Sequence, residues 1–386
     1  MRGKASNKRQ RIKLLLTMEP LLGGTLRHLK MILRALPTDE FDVHLAVSHQ
    51  RNPHARDLYE SWRRTGFTVH DLPMGRELSP RRDLAALARL VGLCGRERFD
   101  IVHTHSAKAG FLGRFAGHVN CAVTIHTPHV PPFARWPDDR EYLPLERLAA
   151  CWTSRFIALS KYQADLLRGY DLAPDRRIIR LPNAVDAAET PNMARDKARR
   201  KLGLPREAPV VLGVGRLCEQ KGFDVLVETA RLLARVGDPG HYAILGDGPE
   251  ERSLRMQISA AGLEDRFDLP GHVDDVDAWY AACDVVVMPS RWEGMPYVLL
   301  EAKAAGRPTV ISKVSGMEEF VCNGEDGLLV PSANPQALAH ALSGLADRRA
   351  ELDTMGRCAR QGMRPEWKRE HFEAAIRDIY RGAAAK

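Results

Sequence analysis

Short apolar runs alternate with helically spaced apolar positions along most of this chain. In the N-terminal part the apolar runs lie at residues 11–18, 43–47, 67–72, 101–103, 122–125 and 156–158. The pattern recurs in the C-terminal part, at residues 210–214, 241–245, 267–269, 284–288, 309–311 and 327–330. Such runs are typical of strands buried on both faces, and their alternation with helices favours a parallel sheet covered by helices.

The two series of runs predict an α/β protein of two Rossmann-like domains, each with its own parallel sheet. Residues 183–209 are polar and charged with few apolar anchors, so we place the domain boundary in this stretch. The division is an N-terminal domain at 1–190, a C-terminal domain at 191–365 and a terminal helix at 366–386. The apolar positions of this helix are Trp367, Phe372, Ile376, Ile379 and Tyr380.

The composition is that of a soluble globular protein, with 44% hydrophobic and 27% charged residues among 386. No apolar run reaches the ~18 residues that a membrane-spanning helix needs. The basic start resembles that of a signal peptide, but the segment behind it is too short and too charged. Seven cysteines, odd in number and never in a C-x-x-C pair, predict free thiols in a reducing cytoplasm.

The net charge of +8 is concentrated in the N-terminal half. Residues 1–190 hold 30 Lys and Arg against 20 Asp and Glu, a net of +10. A basic half favours contact with an anionic membrane surface, an anionic acceptor molecule or nucleic acid. Nothing resembles a helix-turn-helix, a zinc finger or an RNA-binding motif, so nucleic acid is the least favoured of the three and we predict no nucleic-acid partner.

Two carboxylates follow the apolar run at 284–288. Pro296 suits the first turn of a helix, which puts Glu293 on the preceding loop and Glu301 one turn into the helix. Free N–H groups at a helix start bind anions, and the two carboxylates accept hydrogen bonds from hydroxyls. This is the chemistry of a sugar nucleotide, and the alternative is a solvated helix face.

Two cations follow the apolar run at 210–214. Arg216 and Lys221 lie in the segment Gly-Val-Gly-Arg-Leu-Cys-Glu-Gln-Lys-Gly, ahead of a helical pattern. Cations on the loop at the end of a strand, beside a helix start, form a clamp for a diphosphate. The alternative is surface ion pairing. A dinucleotide fingerprint fits less well because the third glycine is missing.

The N-terminal domain contributes a glycine pair and two histidines. Gly23 and Gly24 lie at a strand-to-helix turn, where the backbone can approach a phosphate. The alternative is a tight turn that binds no ligand. His126 follows the apolar run at 122–125, at the strand end where ligands of such sheets bind, and His129 lies one loop step on. Both histidines could instead be structural.

We predict no metal site. His103 and His105 would share one side of a strand, as metal ligands can, but no third ligand of matching spacing lies near them in sequence. Asp275 and Asp277 form a D-x-D motif at a predicted helix start, where aspartate is a common cap.

Together these motifs resemble the retaining family 4 glycosyltransferases of the GT-B fold. The resemblance rests on the two glutamates with Pro-Ser-Arg before them and Ala-x-Ala-Ala-Gly-x-Pro after, and on the G-x-G-R-L-x-x-x-K-G segment. The segments at 181–186 and 245–249 also match, although Ala184 stands where the family has glycine. The resemblance covers residues 13 to 380 and is strongest over 210–330.

The resemblance implies two domains facing across a cleft, with the terminal helix crossing back to the first domain. It implies metal-independent, retaining transfer from a nucleotide diphosphate sugar, such as a UDP-sugar, to a hydroxyl acceptor, with no further cofactor. Arg216 and Lys221 would neutralise the diphosphate, Glu293 would hold the sugar and Glu301 the ribose, and His126 would contact the sugar near the reaction centre. The remaining donor residues would be Gly23, Gly24, Val273, Gly294 and Met295.

The acceptor side is assigned to the N-terminal domain. The segment at 128–137 holds four prolines, and with His129 its Phe133 and Trp136 are the predicted acceptor-side residues. Exposed aromatic residues in a basic domain favour docking on the inner face of the cytoplasmic membrane, with a lipid-linked acceptor in surface polysaccharide or glycolipid assembly. The alternative is a soluble sugar acceptor, with the excess positive charge of the N-terminal domain exposed to solvent and bound to no membrane.

Two other functions fit the same motifs. A nucleotide-sugar 2-epimerase of the same fold also binds the diphosphate, and it would release a changed nucleotide sugar with no acceptor present. A non-catalytic sugar-nucleotide sensor would keep the pocket, but it has no need of His126, Arg216, Lys221, Glu293 and Glu301 together.

Overall fold

The structure, a computed structural model, describes residues 11–50, 52, 54–75, 77–130, 142–186, 193–345 and 347–385. The chain forms two compact units. Unit 1 comprises Met1–Pro182 and Glu370–Lys386, and unit 2 comprises Asn183–Arg369. Each unit is built around one parallel sheet.

Unit 1 contains a seven-stranded sheet. Its strands are β1 Ile12–Met18, β2 Phe41–Val47, β3 Thr68–Asp71, β4 Ile101–His105, β5 Val123–Thr127, β6 Arg155–Ala158 and β7 Ile178–Arg180, in the order β3-β2-β1-β4-β5-β6-β7. Its first six helices are α1 Gly23–Ala35, α2 Ala55–Arg64, α3 Pro80–Glu97, α4 Ala107–Val119, α5 Leu143–Cys151 and α6 Lys161–Gly169. Buried apolar side chains of α3, α4 and the strands form one core cluster.

Unit 2 contains a six-stranded sheet. Its strands are β8 Val210–Val214, β9 His241–Leu245, β10 Phe267–Gly271, β11 Val285–Met288, β12 Thr309–Ser312 and β13 Gly327–Val330, in the order β10-β9-β8-β11-β12-β13. Its helices are α7 Arg195–Leu202, α8 Phe223–Arg235, α9 Glu251–Ala260, α10 Asp277–Ala282, α11 Tyr297–Ala304, α12 Pro335–Leu342 and α13 Arg349–Gln361. Two apolar clusters pack against this sheet.

Each predicted apolar run coincides with an observed strand, so the prediction of an α/β fold with parallel sheets is confirmed. No apolar run predicted β7, which has 3 residues and pairs only with β6 at the edge of the sheet. A short edge strand leaves little apolar signal because only one of its edges is paired and its side chains are only partly buried.

The terminal helix, α14 Arg369–Ala384, belongs to unit 1 for all but its first residue. The Tyr380 hydroxyl lies 2.7 Å from Nδ1 of His103, and Arg381 forms an ion pair with Glu40 at 2.6 Å. The predicted return of the chain to the first domain is therefore confirmed.

The unit boundaries differ from the predicted ones at 190 and 365. They fall after Pro182 and after Arg369. The reason is backbone pairing within unit 2, where the Val185 N–H donates to the Trp367 carbonyl at 3.0 Å and the Arg369 N–H donates to the Val185 carbonyl at 3.1 Å. Residues beside Val185 are thereby held in unit 2.

All seven cysteines are free thiols. Burial raises the pKa of Cys94 and of Cys283 to about 12. Among the described helices, none combines the length and the apolar character that a bilayer crossing requires.

Candidate active site

Two neighbouring strands bring the main sequence motifs together in unit 2. Strand β8 leads into the loop at 215–222 before α8, and β11 leads into the loop at 289–296 before α11. Because β8 and β11 are adjacent and parallel, both loops leave the same edge of the sheet, formed by the C-terminal ends of the strands and called here the carboxyl edge. Ligands of open α/β sheets bind at this edge.

Gly222 allows these two loops to touch. It has a φ of +63°, and a Cβ added there would lie 2.1 Å from the Pro289 carbonyl oxygen. The contact is extended by backbone bonding, since the Arg291 N–H donates to the Gln220 carbonyl at 2.8 Å. The Gln220 amide in turn donates to the Trp292 carbonyl at 3.1 Å.

An ion pair closes the outer side of the loop contact. The Arg291 guanidinium donates to both Asp224 carboxylate oxygens, at 2.8 and 2.6 Å. Burial opposes ionisation of Asp224, but the hydrogen bond and the charge of Arg291 outweigh it and lower the pKa of this carboxyl. Asp224 and Arg291 therefore hold the start of α8 against the second loop.

Lys221 and Glu293 meet at the centre of the contact. The Lys221 ammonium donates to Oε1 of Glu293 at 2.6 Å, and the Ser290 hydroxyl donates to the same oxygen at 2.7 Å. The Glu293 N–H donates to the Ser315 hydroxyl at 3.2 Å. The Glu293 side chain is only 5% exposed and that of Lys221 18% exposed, so the pair is held in a partly desolvated place. The structure thus joins two predicted site residues that lie far apart in sequence.

Arg216 differs from Lys221. It is half-buried, and within the described part of the chain its guanidinium makes no hydrogen bond or ion pair. A half-buried guanidinium without a protein partner is available to an anionic ligand.

The segment at 245–249 supports the loop that carries Arg216. A Cβ at Gly246 would lie 2.0 Å from the Gly215 carbonyl oxygen, and one at Gly248 would lie 2.2 Å from that of Leu217. The Leu217 N–H donates to the Asp247 carbonyl at 2.7 Å. The glycines of this segment therefore permit a close backbone approach beneath the predicted clamp.

Glu301 lies on α11, as predicted, and is held by a residue that the sequence analysis missed. The Tyr280 hydroxyl, on α10, donates to Oε2 of Glu301 at 2.6 Å. Tyr280 is buried at 1% exposure. In the sequence it looks like any apolar helical position, and only the packing of α10 against the strand layer reveals its partner.

The other predicted donor residues of unit 2 lie around the second loop. Gly294 and Met295 are buried, and the Asn183 amide donates to the Met295 carbonyl at 2.7 Å. Pro296 is the N-cap of α11, one residue before the helix and not in its first turn as predicted. Val273 is partly buried and follows β10.

The D-x-D motif has a structural role. Asp275 pairs with Lys201 at 2.9 Å, and this hydrogen bond lowers the pKa of Asp275. Val276 is the N-cap and α10 starts at Asp277, and hydrogen bonds from the N–H groups of Ala278 and Asp277 also lower the pKa of Asp275. Asp275 thus caps the helix start from one residue before the N-cap.

In unit 1 the glycine pair opens α1. Gly23 has a φ of +49° and is the first residue of the helix, and both Gly23 and Gly24 are exposed. A Cβ at Gly23 would meet nothing within 4 Å. Leu22, the N-cap, offers no side-chain cap to the first N–H groups of α1.

His126 lies near the end of β5, with its ring inside unit 1. The ring is 2% exposed, its Nδ1 lies 2.8 Å from the Thr104 hydroxyl, and a Cβ on Gly110 of α4 would come within 2.6 Å of it. Burial, with the nearby Arg114 charge, lowers the pKa of His126 well below its ordinary value. His126 is therefore neutral, and its contact with a donor sugar stays a prediction.

The histidines near the end of β4 have more neighbours than expected. His103 is held by Tyr380 and by the Thr127 hydroxyl, 2.9 Å from its Nε2. His105 lies 3.2 Å from His129, ring nitrogen to ring nitrogen, and the His28 ring packs on both. Spacing along the sequence indicated no third ligand for His103 and His105, but in the fold His28 and His129 lie beside His105. Sequence spacing could not find His28, because it comes from α1.

Phe133 and Trp136, together with most of the predicted acceptor loop, lie outside the described residues. Of the acceptor-side predictions, His129 alone can be placed, and it is buried.

Comparison with known proteins identifies the family. The model of the glycosyl transferases group 1 matches residues 194–362, and that of glycosyltransferase family 4 matches residues 22–189. A relative from Escherichia coli, the UDP-Gal:alpha-D-GlcNAc-diphosphoundecaprenol alpha-1,3-galactosyltransferase, is 32% identical over 339 residues, 85% of this chain and 86% of that protein. The chain belongs to the family 4 glycosyltransferases.

Other relatives of this glycosyltransferase agree. The D-inositol 3-phosphate glycosyltransferase of Saccharomonospora viridis is 32% identical over 309 residues, covering 74% of this chain and 71% of that one. Among solved structures, Anabaena HepE in complex with UDP-glucose matches 96% of this chain and 100% of that one, with a TM-score of 0.81 and 20% identity. Sucrose-phosphate synthase from Thermosynechococcus elongatus matches 97% and 100%, with a TM-score of 0.80 and 21% identity. The glycosyltransferase has the GT-B fold.

Proposed function

We propose that this glycosyltransferase moves a sugar from a UDP-sugar to a hydroxyl of a lipid-linked acceptor, with retention at the anomeric carbon. The observation that carries the proposal is the arrangement of cations in unit 2. Arg216 has no partner among the described residues, and Lys221 is fixed beside Glu293 at 2.6 Å. Two cations at a carboxyl edge next to the start of α8 suit a diphosphate.

The cations act on the leaving group. As the bond between the anomeric carbon and the phosphate oxygen breaks, negative charge grows on the diphosphate, and Arg216, Lys221 and the N-terminus of α8 stabilise it. The acceptor oxygen forms its bond to the anomeric carbon on the same face. Its proton passes to the departing phosphate oxygen, so no protein base is needed.

The carboxylates orient the donor. The Glu293 carboxylate accepts hydrogen bonds from hydroxyls of the transferred sugar, and the N–H groups of Gly294 and Met295 donate to its hydroxyl oxygens. Glu301 accepts from the ribose hydroxyls, and Tyr280 fixes the direction of its carboxylate. Because side chains supply the positive charge, the transfer itself is proposed to need no metal ion.

The acceptor proposal rests on the relatives and on charge. The Escherichia coli relative is named for a GlcNAc-diphosphoundecaprenol acceptor, which is a lipid-linked sugar. A net charge of +10 in residues 1–190 favours an anionic membrane surface, at about 1 kcal/mol for each Lys or Arg near it. We therefore propose action at the inner face of the cytoplasmic membrane, in assembly of a surface polysaccharide or glycolipid.

One assay tests the donor and the reaction. Nucleotide sugars are screened by thermal shift, because only a ligand of the folded form raises Tm. UDP-galactose is then incubated with a lipid-diphosphate-linked GlcNAc and, separately, with no acceptor. Formation of a disaccharide-lipid supports the proposal. A changed nucleotide sugar without acceptor would show an epimerase, and binding without any product would show a sensor.

Membrane docking has a separate test. Co-sedimentation with anionic liposomes should be lost in high salt and weakened when Arg135 and Arg140 are replaced by Glu. Absence of binding at low salt would remove the basis for a membrane-bound acceptor.

A further inference from the structure

Four buried histidines meet at the carboxyl edge of the unit 1 sheet. His28 lies on α1, His103 and His105 lie on β4, and His129 follows β5. Alternate residues of a strand share a face, so His103 and His105 point to one face, while Thr104 points to the other and contacts His126. The proposed transfer chemistry uses none of His28, His103 or His105.

Three of these rings come close enough together to hold one metal ion. One ring nitrogen from each of His28, His105 and His129 lies within 4.8 Å of the other two. Nδ1 of His105 and Nε2 of His129 are 3.2 Å apart. Two nitrogens that bind one tetrahedral zinc ion at 2.0–2.1 Å are separated by about 3.3 Å, so this pair already has the required spacing.

Hydrogen bonding alone does not account for His105. Its Nε2 is buried and has no hydrogen-bond partner among the described residues. Leaving a buried polar atom unsatisfied costs about 1 to 3 kcal/mol. The contact with His129 therefore leaves one nitrogen of His105 without a described partner.

The surroundings hold the proposed ligands in place. His28, His105 and His129 are all buried. His129 has a φ of +59°, a conformation that costs energy for residues other than glycine and that recurs at ligand clamps. His103 is fixed by Tyr380 and Thr127 beside His105, with ring centroids 4.2 Å apart.

We propose that His28, His105 and His129 bind one divalent transition-metal ion of the zinc class. Three imidazoles suit zinc, copper or nickel better than magnesium or calcium, and three protein ligands leave a fourth position for water or an oxygen of a second ligand. The ion joins α1, the end of β4 and the segment after β5, all within unit 1. The residues that are proposed to bind the diphosphate belong to unit 2.

The test uses the full chain, stripped with a chelator and titrated with Zn²⁺ and with Co²⁺. We expect one ion per chain, a visible Co²⁺ absorption band of the tetrahedral type, and a rise in Tm. His28→Gln and His129→Gln should each weaken Zn²⁺ binding by more than tenfold. The matched control is His118→Gln, which removes an exposed histidine of α4 and should bind as the wild type does.

Two results would overturn the proposal. One is wild-type Co²⁺ binding that is not stoichiometric and gives no tetrahedral band. The other is Zn²⁺ affinity unchanged in His28→Gln and His129→Gln. If a variant fails to fold by circular dichroism, the wild-type Co²⁺ spectrum decides alone. Thermal shift with UDP, measured on the same stripped protein, separates failure of this site from failure of the proposed function.

Discussion

The carboxyl edge of the sheet carries charged side chains in unit 2 and neutral rings in unit 1. In unit 2 Arg216 is half-buried, and Lys221 forms an ion pair with Glu293 at 2.6 Å. In unit 1 His103 and His105 are fully buried, and burial keeps the pKa of each well below its ordinary value. Two domains of one architecture therefore offer different chemistry at the equivalent place. The charged side chains are those that we propose bind the leaving diphosphate.

The largest effect is expected from removing that charge. Arg216→Ala and Lys221→Ala should each lower kcat/KM about 10- to 150-fold, since a charge-assisted bond contributes about 1.5 to 3 kcal/mol. Steady-state kinetics with a saturating acceptor measures the loss. Lys201→Ala, on α7 and paired only with Asp275 among the described contacts, is the control and should keep full activity.

Near-native rates in both variants would contradict the assignment of the clamp. The Arg216 guanidinium makes no hydrogen bond or ion pair among the described residues, so Arg216→Ala should leave Tm unchanged. A fall in Tm would instead indicate a structural role for Arg216.

The loop contact of unit 2 predicts a large effect on stability. Gly222→Ala places a Cβ 2.1 Å from the Pro289 carbonyl oxygen, whereas Gly203→Ala has the same left-handed backbone, with φ of +69°, and nothing within 4 Å. Both changes introduce backbone strain, but only Gly222→Ala overpacks, which costs a further ~1 to 3 kcal/mol. Urea unfolding of the two variants measures the difference. Equal destabilisation would mean that the two loops can separate freely.

A smaller effect is expected from the residue that positions Glu301. Tyr280→Phe removes one hydrogen bond to the carboxylate, of about 0.5 to 1.5 kcal/mol, and should raise the donor KM about 2- to 12-fold with little change in kcat. Tyr242→Phe, a buried tyrosine of β9 stacked on Phe267, is the matched control. If both variants change KM alike, the bond from Tyr280 does not serve donor binding.

Unit 1 should also respond to acid. His44 and His70 stack with ring nitrogens 3.1 Å apart, and burial is the main cause that lowers the pKa of each. In the unfolded chain the two histidines take up protons near pH 6.5, whereas in the folded chain they do so only at lower pH. The free energy of unfolding therefore falls as the pH drops below about 6.5. His44→Gln should reduce this loss, by about 1 kcal/mol or less, in denaturant unfolding at pH 7.5 and 5.5. The same loss in both proteins would exclude the pair as its source.

The fold could be predicted from the sequence because strands buried on both faces are nearly continuous apolar runs. The 3-residue edge strand β7 lacks that signal. The unit 2 site was predictable in part, because its motifs follow β8 and β11, whose carboxyl ends meet. The pairing of Lys221 with Glu293 could not be derived, since it depends on the approach of Gly222 to Pro289.

Contacts between distant elements explain the remaining misses. Tyr280 reaches Glu301 from another helix, and His28 reaches His105 from α1. Neither contact follows from a fixed spacing along the sequence, so neither could be predicted from it. The position of His126 near the end of β5 could be predicted from the sequence. The packing of α4 over its ring, which Gly110 permits, could not be, because it depends on the fold.

Retention and metal independence are tested together by the anomeric configuration of the first product, followed by NMR with UDP-galactose, the lipid-linked acceptor and excess EDTA. We expect an α-linked product from the α-linked donor, formed at an undiminished rate, because Arg216 and Lys221 supply the positive charge. A β-linked product would contradict retention. Loss of the reaction in EDTA that Mg²⁺ or Mn²⁺ restores would show that a metal ion, and not these side chains, stabilises the leaving diphosphate.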